Sequence, residues 1–200
     1  MSKVKICGLR TLEDIEAVNR FHPDYAGMIL SKPFWRCVDI DTALTLKKHL
    51  CPKIKMTGVF VNENLDYIAP FVDNGCIDMI QLHGQEDNGY IQELKKRYPE
   101  ISVIKAFKIK EEADIQKAKE STADYVLLDS GTGTGKTFDW RLIKDIGREY
   151  FLAGGLTPEN VETVIRQFQP YAVDTSSGVE TEKKKDAGKI GEFIRKVREL

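Results

Sequence analysis

A closed (β/α)8 barrel, the TIM-barrel form of the α/β class, is the fold this sequence predicts, and three observations carry the prediction. Eight short apolar runs alternate with segments of helical periodicity along the whole chain. No polar linker or low-complexity tract interrupts them, so residues 1–200 read as a single catalytic domain. The residues suited to chemistry close those runs or open the turns after them, the face on which such barrels carry their active sites. The alternative architecture is an open doubly wound sheet.

The elements follow in order. Residues 4–7 form a first strand that delivers Cys7 to Gly8, and Thr11-Leu12-Glu13-Asp14 then opens a helix with a capping-box pattern. Residues 25–30 give the second strand, followed by the proline-punctuated loop Ser31-Lys32-Pro33-Phe34-Trp35-Arg36. Residues 56–61, 79–83 and 103–108 give the next three; the fourth ends in Gln81-Leu82-His83-Gly84. Residues 125–129 carry Tyr125-Val126-Leu127-Leu128 into Asp129. Residues 150–153 lead into Gly154-Gly155, where Thr157-Pro158-Glu159 supplies a helix cap, a first-turn proline and an acid. Residues 171–174 end on Asp174 and pass into Thr175-Ser176-Ser177-Gly178-Val179-Glu180. Each strand is followed by an expected helix.

Side-chain parity refines the placement, because residues two apart on a strand share a face. Lys5 and Cys7 point together, as do Gln81 and His83, while Val4 and Ile6 face the helices. Lys5, Lys105 and the strand-end acids are expected inside the barrel, in ion pairs, since an unpaired buried charge costs several kcal/mol.

Composition excludes several classes. A 200-residue chain with 42% hydrophobic residues supports one well-buried core, and 30 basic against 31 acidic residues leave no global field for nucleic acid or an anionic membrane. No apolar run has the length of a membrane span, and the start lacks a secretory signal, so the expected location is cytoplasmic. Cys7, Cys37, Cys51 and Cys76 lack paired metal-site spacing and read as reduced thiols.

Cys7 has a bland alternative as a small apolar filler, but its strand-end position two residues from Lys5 suggests a thiol with lowered pKa, able to act as base or nucleophile. Asp129 is either a turn-capping carboxylate or a general acid, with the glycines of Ser130-Gly131-Thr132-Gly133-Thr134-Gly135-Lys136-Thr137 supplying a lid over it. Gly135-Lys136-Thr137 matches the end of a P-loop, but Ser130 stands where its opening glycine belongs, which disfavours nucleotide hydrolysis. The stronger phosphate signal is the pair of late turns after strands seven and eight. There Gly154 and Gly155 allow close approach of the main chain, the helix opening at Thr157-Pro158 adds its positive N-terminal end, and Ser176, Ser177 and Gly178 add donors, with Asp174 at the strand end as a further substrate-binding candidate. Arg36 is either a solvated arginine or a bidentate clamp for a carboxylate, with an aromatic platform beside it. His83 is structural or substrate-lining; Cys37, Cys51 and Cys76 read as packing or incidental residues, and His22 and His49 as surface.

Taken together, Lys5-Ile6-Cys7-Gly8, Gly58-Val59-Phe60-Val61-Asn62, Gln81-Leu82-His83-Gly84, Gly135-Lys136-Thr137-Phe138-Asp139-Trp140, Ala153-Gly154-Gly155-Leu156 and Val173-Asp174-Thr175-Ser176-Ser177-Gly178-Val179-Glu180 make the chain resemble the phosphoribosylanthranilate isomerases of tryptophan biosynthesis over nearly its whole length. The resemblance implies a cofactor-free, metal-free Amadori rearrangement of N-(5-phosphoribosyl)anthranilate to 1-(2-carboxyphenylamino)-1-deoxyribulose 5-phosphate. It implies Asp129 as general acid, Cys7 as general base, Arg36 on the anthranilate carboxylate and the two late turns on the phosphate. It also implies a small-molecule substrate, no nucleic-acid or membrane partner, and a monomer. The rivals are another phosphosugar barrel enzyme of epimerase or aldol type, for which Lys5 and Lys105 are the candidate Schiff-base lysines, and a nucleotide-binding module resting on Gly135-Lys136-Thr137.

Overall fold

In the computed structural model, which describes residues 1–129, 143 and 146–200, eight parallel strands form a closed barrel in sequence order. The elements are β1 (Lys3–Cys7), α1 (Leu12–Phe21), β2 (Tyr25–Ile29), α2 (Ile40–His49), β3 (Lys55–Phe60), α3 (Leu65–Asp73), β4 (Met79–Leu82) and α4 (Asn88–Arg97). There follow β5 (Ser102–Lys108), α5 (Glu112–Lys119), β6 (Tyr125–Asp129), β7 (Tyr150–Ala153), α6 (Val161–Phe168) and β8 (Ala172–Thr175). A short 3-10 turn (Ser177–Val179), a two-stranded ribbon of β9 (Glu180–Thr181) and β10 (Lys184–Lys185), and α7 (Ala187–Arg198) complete the chain. The ring closes where Lys5 of β1 stands level with Asp174 of β8. All eight expected strands form within a residue of their expected limits. The helix expected after residue 129 and the segment around Gly135-Lys136-Thr137 lie outside the described residues.

Local chemistry fixes most helix starts. Thr11 caps α1 by accepting from the Asp14 amide, while Asp14 accepts from the Thr11 amide in return. The expected start of α6 at Thr157 is corrected, because the helix begins at Val161. Asn160 donates to the Gly155 carbonyl and accepts from the Thr157 amide, so residues 157–160 fold as a separate turn against the preceding loop. After β8 the expected helix is likewise delayed by the 3-10 turn and ribbon.

Two apolar layers surround the strands. The outer one joins Val4 and Ile6 to helix residues such as Ile15, Val18 and Phe193, as parity requires. The inner one contains Tyr25, Met79, Ile104, Leu127 and Phe151, with Tyr125 and Tyr171 packed against it. Tyr25 and Tyr125 open their strands and Tyr171 directly precedes β8, so the rings floor the barrel at its N-terminal end. The Tyr125 and Tyr171 rings stack at 5.1 Å and the Tyr25 and Tyr171 hydroxyls meet at 3.0 Å. That floor leaves the opposite, C-terminal mouth for chemistry.

The two lysines part company. Lys5 lies fully buried inside the barrel, its Nζ 2.8 Å from Asp174 Oδ2, as expected. The placement of Lys105 inside the barrel is corrected: it is level with Leu82 and Val126, both members of the outer layer, and so faces the helices. Its ion pair is nevertheless formed, with Glu86 at 2.9 Å, and its ammonium also donates to the Gly84 carbonyl.

Candidate active site

The mouth is built from strand ends. Cys7 closes β1 and is 7% exposed, and a Cβ added to Gly27 on neighbouring β2 would meet its Sγ at 2.8 Å. Gly8 turns the chain immediately afterwards at φ +81°; a Cβ there would meet Arg36 Cδ and Ser176 Oγ, each at 2.9 Å. The missing side chain therefore lets the Cys7 turn, the Arg36 loop and the last phosphate-type turn converge.

Burial corrects the expected acidity of Cys7. Desolvation pushes its thiol above the ordinary value more strongly than Lys5 and Lys185 pull it down, and the Asp174 charge adds to the rise. Lys5 itself is penalised by burial, but Asp174 and Cys7 more than offset this and hold its ammonium above the usual lysine value. A protonated, paired lysine is a poor Schiff-base nucleophile, which weighs against the aldol-type rival. Titration of thiolate absorbance in the free protein, taken as wild type minus Cys7→Ser, is expected to show a midpoint above that of an ordinary cysteine thiol. A midpoint in the neutral range would mean that the two lysines win over burial.

Across the mouth, Asp129 ends β6. His83 Nε2 lies 3.2 Å from Asp129 Oδ2, while His83 Nδ1 lies 2.9 Å from Gln81 Nε2. With the Gln81 amide donating to Nδ1, the ring proton sits on Nε2 and is directed at Asp129. His83 thus bridges Gln81 and the carboxyl group that ends β6. Strand register runs level from Asp129 through Ala153 and Asp174 to Lys5, joining the acid side of the mouth to the thiol side. Asp174 is raised chiefly by desolvation, with Lys5 opposing. Its Oδ1 is buried and bonds to no group among the described residues.

Gly154 and Gly155 follow β7 at φ +98° and +68°, conformations that other residues rarely adopt. Their turn abuts the one after β8: Thr175 Oγ1 donates to the Leu156 carbonyl at 2.7 Å, and a Cβ on Gly178 would sit 1.9 Å from that same oxygen. Ser176 and Gly178 are half-buried and Ser177 is exposed. The two turns thus form one rim.

Arg36 spans the gap between this rim and the β2 loop. Its Nε and Nη2 donate to Glu180 Oε1 and Oε2 at 3.2 and 2.7 Å, a two-point pair, and its guanidinium lies 4.1 Å from the Trp35 ring centre. Two members of this group, Glu180 as a partner of Arg36 and Lys185, do not emerge from sequence reasoning. Lys185 sits in Lys183-Lys184-Lys185, which reads as a solvated charge run, yet its side chain is 2% exposed and contacts Glu180. The remaining cysteines and histidines are as expected: Cys76 is packed in the core, Cys37 and Cys51 are half-buried, and His22 and His49 are exposed.

A carboxyl group, a thiol, a guanidinium and a glycine-rich rim thus share one mouth, a set of groups able to move protons within a substrate that carries anionic groups. Comparison with known proteins agrees. A sequence model of the family described as N-(5'phosphoribosyl)anthranilate (PRA) isomerase matches residues 4–196. The N-(5'-phosphoribosyl)anthranilate isomerase of Acetivibrio thermocellus is 43% identical over 212 residues, spanning 100% of this chain and 97% of the relative. A crystal structure of phosphoribosyl anthranilate isomerase in complex with reduced 1-(o-carboxyphenylamino)-1-deoxyribulose 5-phosphate superposes with a TM-score of 0.88 at 35% identity, over 100% of both chains. Monomers generated from the dimeric enzyme of Thermotoga maritima superpose with a TM-score of 0.89 at 36% identity, again over 100% of both chains. No helix among the described residues is long and apolar enough to cross a membrane. The chain belongs to the N-(5'-phosphoribosyl)anthranilate isomerase family, the isomerases of tryptophan biosynthesis.

Proposed function

We propose that this mouth performs the Amadori rearrangement of N-(5-phosphoribosyl)anthranilate with Asp129 as general acid and Cys7 as general base. The observation that carries the reading is the placement of these two groups at the ends of β6 and β1, on the same mouth as Arg36 and the turns that follow β7 and β8. Asp129 gives its proton to the furanose ring oxygen as the C1–O bond breaks and the anilino nitrogen forms a protonated Schiff base. His83 Nε2 contacts one of the Asp129 carboxyl oxygens and so helps hold the group in place. The Cys7 thiolate then takes the C2 proton, and the resulting enolamine tautomerises to the ketone.

The raised thiol of the free protein fits this order of events. The cationic Schiff base adjacent to C2 supplies the charge that favours thiolate, so once the ring has opened the thiol releases its proton to solvent and the resulting thiolate is the base. Arg36 binds the anthranilate carboxylate with donors left over from Glu180, and the backbone amides of Gly154, Gly155, Ser176, Ser177 and Gly178 hold the phosphate. Asp174 serves the site by keeping Lys5 charged beside Cys7. The whole of residues 1–200 acts as one catalytic domain. A working thiol requires a reducing compartment, and four free cysteines accord with a cytoplasmic enzyme. We take the chain to act as a monomer, which sedimentation at assay concentrations checks directly.

The deciding experiment adds freshly generated phosphoribosylanthranilate to pure protein with chelator present and follows its fluorescence. Loss faster than spontaneous hydrolysis, with the carboxyphenylamino-ketose as product, is the expected result; hydrolysis-limited loss with folded protein would refute the activity. Gly178→Ala tests the rim separately. Its Cβ would collide with a backbone oxygen rather than a flexible side chain, forcing the two turns apart. KM is expected to rise at least about tenfold with a smaller change in kcat, a cost of ~1–3 kcal/mol from overpacking.

A further inference from the structure

We propose that Lys185 is a positioning residue that keeps the Arg36–Glu180 pair net positive, so that the arginine can hold the substrate carboxylate. The inference rests on the reading of Arg36 given above. A two-point pair between one guanidinium and one carboxylate is neutral as a unit, and a neutral unit is a weak site for an anion. Lys185 adds the missing charge at Glu180, on the oxygen that also accepts from Arg36 Nε: its Nζ lies 2.8 Å from Glu180 Oε1, 2.9 Å from the Ser176 carbonyl and 3.3 Å from Ser176 Oγ. Three oxygens surround the one nitrogen, an arrangement that the three donors of an ammonium can satisfy.

The fold holds this lysine with care. β9 and β10 pair antiparallel with Lys185 opposite Glu180, so the two are cross-strand neighbours. The ribbon turns through Glu182 and Lys183 at φ +51° and +62°, an unfavourable conformation for residues other than glycine or asparagine. Lys189 donates to the Glu180 carbonyl, and Asp186, which accepts from Thr181, caps α7. Lys183 and Lys184, in the same run, are exposed. Burial lowers the Lys185 ammonium, and Glu180 is the chief group opposing that fall. The same nitrogen that neutralises Glu180 also grips Ser176, tying the carboxylate end of the site to the phosphate rim.

The test measures two dissociation constants for each variant, that of the reduced carboxyphenylamino-deoxyribulose phosphate and that of its counterpart lacking the carboxylate. Their ratio isolates the carboxylate from every other contact. Lys185→Met is expected to shrink the ratio about tenfold, by loss of one nearby unit charge. Lys185→Met combined with Glu180→Gln restores the net charge and is expected to restore most of the ratio, which a lysine needed only to brace the ribbon would not do. Failure of that rescue, or an unchanged ratio in the single variant, overturns the proposal. Arg36→Met is measured alongside: an unchanged ratio there sinks the reading of Arg36 itself, a separate result. Should Lys185→Met not fold, Glu180→Gln alone decides, since it adds net charge and is expected to enlarge the ratio; a smaller ratio contradicts the charge argument.

Discussion

Cys7→Ser is expected to fold, to bind the reduced product analogue with near-parental affinity, and to lose turnover by about 10²–10⁴-fold, the range set by removing a positioned general base. The volume change is small, and Cys7 bonds chiefly through its surroundings rather than supporting them: Lys5 keeps its partner Asp174, and Gly8 keeps its turn. What disappears is a group that can ionise beside the C2 proton, because a serine hydroxyl cannot be brought to the alkoxide by two lysines and a transient cation. Steady-state kinetics with the ligand titration and a thermal melt on the same sample check the three statements together. Turnover within tenfold of the parent would remove Cys7 as the base, and loss of ligand binding would reassign it to the architecture of the mouth. C2-deuterated substrate sharpens the result. Proton abstraction becomes the slow step in this variant, so its residual activity is expected to show a primary isotope effect.

The residues that the sequence discloses and those it conceals differ for physical reasons. Strand ends are legible because a parallel barrel strand is a short apolar run stopped by a turn residue, and Cys7-Gly8, His83-Gly84 and Ala153-Gly154 each display that stop. The facing of Lys105 is not legible. Barrel strands bury both faces, so Val103-Ile104-Lys105-Ala106 carries apolar residues at both parities, and only the register with Leu82 and Val126 selects the outer one. The direction of the Cys7 shift is concealed for a different reason: Lys5 is visible two residues away, but the burial that outweighs it is a property of the assembled mouth. Lys185 is hidden because its ribbon turn, Glu182-Lys183, has none of the Asn-Gly or Gly signals that announce a hairpin. Asn160 is hidden by Thr157-Pro158-Glu159, a better-looking cap that the side-chain bonds of Asn160 turn into a preceding turn.

Asp129→Asn is expected to lower kcat/KM by a similar factor, about 10²–10⁴, with little change in KM, because the amide keeps the shape of the carboxyl group and removes only the proton it delivers. His83 can still donate through Nε2 to the amide oxygen, so the ring and Gln81 have no cause to move. The two variants nevertheless fail at different steps, and the isotope effect tells them apart. Without an acid, ring opening becomes slow and precedes any event at C2, so deuterium at C2 is expected to have almost no effect on the Asn variant while slowing the Ser variant. Equal primary effects in both would place the two residues on a single proton-transfer step and dissolve the division of labour between β6 and β1. Activity of the Asn variant within tenfold of the parent would move the acid role to another group. If instead His83→Ala alone reproduced the full Asp129→Asn loss and its suppressed isotope effect, the proton would belong to the His83–Asp129 pair rather than to the carboxyl group alone, a consequence of the 3.2 Å contact that joins them.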